Sequence, residues 1–202
     1  MLDRIATALI QPAVITVAKS LVRTGLSANQ ITVAGFLIGL MAAYAIACQS
    51  FLLGAFFILV SRTFDALDGA VARLTHASDA GGFLDITLDF LFYASIPLAF
   101  AFANPLQNAL PAATLLAAFM GTGSSFLAFA VMAAKRGMAS VAYPNKSFYF
   151  LGGLTEATET LVCLCAMCLW PAYFPELAYT FAALCAVTIA MRIGWGLRAF
   201  RE

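Results

Sequence analysis

Charge is scarce in this chain: Lys and Arg number 11 and Asp and Glu 10 in 202 residues, together 10%. Soluble domains carry about a quarter charged residues, so with 63% hydrophobic residues and a mean hydropathy of +0.93 the chain reads as an integral membrane protein. A net charge of +1 leaves no basic excess for nucleic acid. The lone histidine, His76, reads as a solvated loop residue beside Asp79. The five cysteines, Cys48, Cys163, Cys165, Cys168 and Cys185, are odd in number and lie on apolar runs. With no His near Cys163, Cys165 and Cys168, they read as small buried hydrophobes, and no disulfide framework is implied.

Long hydrophobic runs are what the chain has in plenty. Crossing a bilayer takes roughly 20 apolar residues per helix, and six runs approach that length: Ile31 to Cys48, Phe51 to Asp68, Phe83 to Ala103, Ala112 to Ala134, Phe148 to Leu169 and Ala178 to Gly196. The expected fold is all-α and polytopic, a single membrane domain over 1–202. Residues 1–27, with apolar stripes, scattered Arg4, Lys19 and Arg23, and Pro12, read as an interfacial amphipathic helix rather than a signal peptide. Residues 28–198 form the six-helix bundle. Ser27 and Asn29 are N-cap candidates for the first span, Asp79 for the third. Pro105, Pro111, Pro144, Pro171 and Pro175 are expected to punctuate links.

The positive residues mark one side. Arg4, Lys19 and Arg23 precede the first span, Arg62 and Arg73 fall at the link of spans two and three, Lys135, Arg136 and Lys146 link four to five, and Arg192, Arg198 and Arg201 end the chain. The opposite links, near Gln49, Asn108 and Tyr173, carry none. By the positive-inside rule both termini face the cytoplasm.

The acidic residues concentrate in FDALDGAVARLTHASDAGGFLDITLDF. Asp65, Asp68, Gly69, Ala72 and Arg73 project into an arc of about 140° on a helix turning ~100° per residue. Gly81, Asp85 and Asp89, each i,i+4, stack on one face of the next span, and a short turn lets the two faces meet. Carboxylates in hydrocarbon are costly and functional by default. Four converging carboxylates repel, so they take up protons or hold cations between them. Hard oxygen donors suit Mg²⁺ or Mn²⁺; two such ions would balance four charges, the arrangement that stabilises attacking and leaving oxygens in phosphoryl displacement. Gly69 and Ala72 would admit a nucleotide or pyrophosphate against the backbone, and Arg73 would hold a phosphate oxygen or pair with an aspartate. The alternative is a membrane cation transporter whose carboxylates form a path.

The spacing D-x2-D-G-x2-A-R-x7-G-x3-D-x3-D, filled by Asp65, Asp68, Gly69, Ala72, Arg73, Gly81, Asp85 and Asp89, resembles the signature of the CDP-alcohol phosphatidyltransferase family. GGFLDITLDFLFYASIP and KSFYFLGGLTEATET are similar to uncharacterised bacterial inner-membrane members. The resemblance implies transfer of a phosphatidyl group from a CDP-linked lipid, usually CDP-diacylglycerol, to an alcohol acceptor with release of CMP, in a homodimer. It implies two divalent ions on Asp65, Asp68, Asp85 and Asp89, with Asp89 also the base, and a nucleotide site at Asp68, Gly69, Ala72, Arg73 and Gly81. Asn29 and Thr32 stand where the family often carries a polar pair touching the nucleotide.

Toward the acceptor the pattern is thinner. Lys146 and Arg192 lie where members using phosphorylated acceptors place cations, a position that topology anchors also occupy. Glu156 and Glu159 are i,i+3 and fall two to three turns into the fifth span as delimited above. Either they pair with Lys146 or Arg192 as a structural network, or they contact an acceptor bearing an amine or several hydroxyls. The acidic pair speaks against a simple phosphate pocket. Gly121, Gly123, Ser124 and Ser125 suit close helix packing. Gly35 and Gly39, a G-x-x-x-G, suit packing or a dimer face.

Overall fold

The computed structural model describes residues 2–138 and 153–201, with side chains from Leu9 onward. Lys146 and Pro144 lie outside the described residues. Among the described residues seven α-helices follow one another: α1 Leu2–Arg23, α2 Ala28–Ala47, α3 Phe51–Leu74, α4 Asp79–Ala103, α5 Pro105–Lys135, α6 Ala157–Leu169 and α7 Phe174–Ala199, with a 3-10 turn at Pro171–Tyr173 before the last. Among the described residues there is no strand. α2, α4, α5 and the Pro171–Ala199 segment are long and apolar enough to cross a membrane. α3 is 24 residues long but carries Arg62, Asp65, Asp68 and Arg73, and α6 is a shorter apolar helix. The protein is thus an all-helical, multi-pass membrane protein.

Helix ends follow local chemistry. Ser27, one of the two N-cap candidates, caps α2 through a capping box: Gln30 N–H donates to Ser27 Oγ at 3.3 Å and Ser27 N–H to Gln30 Oε1 at 3.0 Å, satisfying two otherwise orphaned donors. Asp79 is not the cap of its helix. Ser78 is extended and accepts from Gly81 N–H at 3.1 Å, leaving Asp79 in the first turn, where a carboxylate favours the helix dipole. Pro105 does mark a helix start, but Pro111 lies inside α5; membrane helices tolerate an interior proline because neighbouring groups re-satisfy the freed carbonyl.

α2 packs most heavily on α3 and then on α4, α4 packs next on α5, and α5 packs most heavily on α7. Close approach of α2 needs small residues. A Cβ on Gly35 would lie 2.8 Å from Phe64 Cβ, and one on Gly39 would lie 2.5 Å from the Phe92 ring, so this glycine pair packs within the chain and is not left as a dimer face. Gly121 and Gly123 likewise admit Ile189 and Phe90. The core stacks Phe51 on Phe100 at 5.6 Å and Phe100 on Phe174 at 4.3 Å between ring centroids. This aromatic column lies at the first residue of α3 and near the last of α4. It is therefore at the end of that helix pair opposite the aspartates. Cys168 and Cys185 are buried in the same core and all five thiols are free. Leu52, Phe56 and Phe102 point outward, as lipid-facing side chains do. α1 seats Ala18 against Ile31, Leu67, Ala70 and Val71 while Leu9, Ile10 and Val17 stay exposed.

Candidate active site

Antiparallel α3 and α4, joined by the short 75–78 turn, bring the four aspartates together. The i,i+3 pair on α3 and the i,i+4 pair on α4 face each other across a cleft lined by Thr32, Ser61, Arg62, Asp65, Asp68, Asp85 and Asp89. Carboxylate oxygens of Asp65, Asp68 and Asp85 all lie within 4.8 Å of one another. Asp68 is 5% exposed and its Oδ2 has no hydrogen-bond partner. A buried, unpartnered carboxylate oxygen beside two further carboxylates is costly alone. As a donor set the three fit a hard divalent cation such as Mg²⁺ or Mn²⁺.

Asp89 does not join that trio. It accepts from Arg62 Nη1 at 2.5 Å, and the same nitrogen stands 3.4 Å from Asp65 Oδ1. The Arg62 guanidinium lies over the Phe92 ring at 4.0 Å and beside Tyr93 at 5.4 Å. The positive-residue pattern counts Arg62 with the anchors at a membrane surface; the structure buries its side chain to 11% exposure in the heart of the site. The signal was present in FFILVSRTFDALDG, where a cation interrupts an apolar run three residues before the first aspartate.

Of the residues expected at the nucleotide, Thr32 and Asp68 line the cleft. Asn29 Oδ1 comes within 3.0 Å of where a Gly81 Cβ would stand, so the start of α2 meets the start of α4 and a side chain there would crowd Asn29. Arg73 folds over Gly69, its Nη1 3.2 Å from the place of a Cβ. Among the described residues it makes no ion pair with an aspartate within 4 Å. Gly69 and Ala72 share its face of α3 and are half-buried. His76 is exposed, as a loop residue should be.

A second, larger cavity of about 630 Å³ opens between α4, α5, α6 and α7, with Asp89, Tyr93, Thr122, Phe126, Glu156 and Arg192 among its walls. Arg192 is 8% exposed; its Nη1 donates to the Thr122 carbonyl at 2.9 Å and its Nε has no hydrogen-bond partner. Glu156 and Glu159 are not deep in a helix, as the span limits led one to expect. α6 starts at Ala157 with Glu156 as its N-cap residue, and Glu156 N–H donates to Glu159 Oε2 at 3.2 Å while Gly153 N–H donates to Glu156 Oε1 at 3.3 Å. Carboxylates at a helix start accept the orphan N–H groups there and complement the dipole. The preceding backbone is pinned to α7, Leu154 and Thr155 N–H donating to Thr188 Oγ1 at 3.1 and 3.2 Å. This places Glu156 and Arg192 on one cavity; Glu159 contributes to the cap.

Residues 25–193 match the model of the CDP-alcohol phosphatidyltransferase family. The chain is 47% identical over 196 residues, 97% of its own length and 95% of the relative's, to the inner membrane protein YnjF of Escherichia coli. It is 33% identical over 180 residues, 84% of its length and 91% of the relative's, to an archaetidylinositol phosphate synthase of Pyrococcus horikoshii. In fold it resembles the crystal structure of Mycobacterium tuberculosis phosphatidylinositol phosphate synthase (PgsA1) with CDP-DAG bound, with a TM-score of 0.74 at 18% identity over 91% of this chain and 93% of that one. The same protein in complex with manganese and citrate superposes with a TM-score of 0.71 at 20% identity over 91% and 88%. The cleft of four aspartates therefore belongs to a membrane enzyme of phospholipid biosynthesis, a member of the CDP-alcohol phosphatidyltransferase family.

Proposed function

We propose that the protein transfers the phosphatidyl group of CDP-diacylglycerol to the hydroxyl of an alcohol acceptor and releases CMP, using two divalent cations, Mg²⁺ or Mn²⁺. The observation that carries this reading is that Asp89, among the described residues, is the one shared by the carboxylate cleft and the larger cavity. A base at that junction reaches a hydroxyl entering from the cavity and a phosphorus held at the cleft. The PgsA1 structures with CDP-DAG and with manganese support the donor and the metal.

In this reading Asp65, Asp68 and Asp85, with Asp89, hold the cations, which when bound would neutralise the pyrophosphate and the charge developing on the leaving CMP. Asn29, Thr32, Asp68, Gly69, Ala72, Arg73 and Gly81 form the nucleotide site: the bare faces of Gly69 and Ala72 let the cytidine diphosphate approach α3, and Arg73 takes a phosphate oxygen. Asp89 accepts the acceptor's hydroxyl proton as the oxygen attacks the lipid-bearing phosphorus; the new P–O bond forms as the bond to the CMP oxygen breaks. Arg192 and Glu156, with Lys146 and Glu159 nearby in sequence, hold the acceptor. Six spans, a cytoplasmic site with both termini on that side, an inner-membrane location and a homodimer complete the proposal. The positive-residue asymmetry supports the orientation.

The test is CMP release from CDP-diacylglycerol by purified protein with Mg²⁺ or Mn²⁺, across glycerol phosphate, inositol phosphate, serine, inositol, ethanolamine and choline, with Asp89→Asn as control. Release that needs one acceptor and is lost in the variant is the expected result. Folded protein that releases no CMP with any of them overturns the reading for this panel.

A further inference from the structure

We infer that Arg62 is a positioning residue for the transfer, fixing the Asp89 carboxylate at the junction of cleft and cavity; the inference rests on the reading of Asp89 as proton acceptor. A topology anchor keeps its charged head in water at the membrane surface. Arg62 does the opposite. It lies on the apolar side of Asp65 along α3, with its side chain 11% exposed.

Four contacts hold the guanidinium, two from α3 and two from α4. Nη1 serves Asp89 on α4 and Asp65 on α3. Nη2 stands 3.4 Å from Ser61 Oγ, which itself donates to the Gly35 carbonyl on α2 at 2.8 Å. The plane lies over Phe92. A group so braced has little rotational freedom, so the carboxylate it binds inherits a fixed direction. Asp89 is 33% exposed in its side chain and without this contact would sample several rotamers across an open mouth. Arg62 thereby couples the first aspartate of the trio to the base and supplies a fixed positive charge between them. Lysine cannot substitute: a single ammonium lacks the planar fork and does not stack in the same way.

The experiment is a double-mutant cycle on CMP release under the acceptor that supports turnover, with CDP affinity and thermal midpoint measured on every variant. Arg62→Met is expected to lower kcat about 100-fold while the KM for the CDP lipid stays within about threefold, because what is lost is the orientation of the base. In an Asp89→Asn background the same change is expected to alter the residual rate less than about twofold. Equal losses in both backgrounds, a loss confined to KM, or full activity in Arg62→Met overturn the inference while leaving the transferase reading intact. Full activity in Asp89→Asn overturns both. Should Arg62→Met fail to fold, Arg62→Lys decides: folded protein with kcat down about tenfold supports the fork-dependent role, and wild-type kcat overturns it.

Discussion

The two ends of the α3–α4 pair are built on opposite rules. At one end Phe51, Phe100 and Phe174 stack in a column whose last two members are wholly buried; the polar group there is one neutral amide, Asn108, which donates to the Phe100 carbonyl at 3.0 Å and keeps its Oδ1 buried and unpartnered. At the other, the same two helices present four carboxylates and one guanidinium, with Asp68 Oδ2 and Arg62 Nε buried and unpartnered. The first end stores stability through packing; the second spends some of it to keep ligands and a base available. Strain of that kind is expected at a functional site and is compensated elsewhere in the fold.

That contrast can be broken at the site first, where effects on activity are largest. Chelating divalent metal is expected to abolish CMP release, and adding back Mg²⁺ or Mn²⁺ to restore it. Retained turnover in chelator would remove the role given to the carboxylate trio. Next in size, Asp89→Asn should cost about 10³-fold in kcat with CDP affinity little changed. Asp68→Asn sharpens the comparison in the other direction. Turnover should collapse while the thermal midpoint in detergent holds or rises, since the variant replaces a buried carboxylate that has an unsatisfied oxygen; a large fall in the midpoint would show that the carboxylate is structural.

The aromatic end should respond inversely. Phe174→Ala leaves a cavity in the column and is expected to cost about 3 kcal/mol or more, seen as a lower unfolding midpoint, with kcat per folded molecule within about twofold. A proportional loss of kcat would mean that the two ends are coupled. Smallest of the set, Arg192→Gln should raise KM for the acceptor about tenfold and leave KM for the CDP lipid unchanged. Equal changes in both constants would detach Arg192 from the acceptor.

Much of the site was legible because its spacing is helical. Asp65, Asp68, Gly69, Ala72 and Arg73 share a face by arithmetic alone, and so do Gly81, Asp85 and Asp89, which is why the chain pattern brings out the cleft before any coordinates do. The beginning of α6 was not legible. Glu156 and Glu159 sit in an apolar stretch that reads as one continuous span, and only the bonds from Leu154 and Thr155 to Thr188 on α7 show the backbone turning there. Periodicity has no term for a contact 33 residues away along the chain. Asp79 yielded the cap of α4 to Ser78 for a subtler reason: both residue types cap well, and one position decides between them.

By itself, then, the sequence determined a polytopic helical membrane protein and the aspartate faces of two adjacent helices, because hydrophobic length and 3.6-residue periodicity are local properties of the chain. The tertiary structure alone decided that Arg62 belongs to the site rather than to the membrane surface, that Asp89 is held apart from the trio of Asp65, Asp68 and Asp85, and that Glu156 and Arg192 share one cavity. Those are distances between helices. They depend on how closely Gly35 and Gly39 let α2 approach α3 and α4, and on where α7 pins the backbone that precedes α6, which no window along the chain contains.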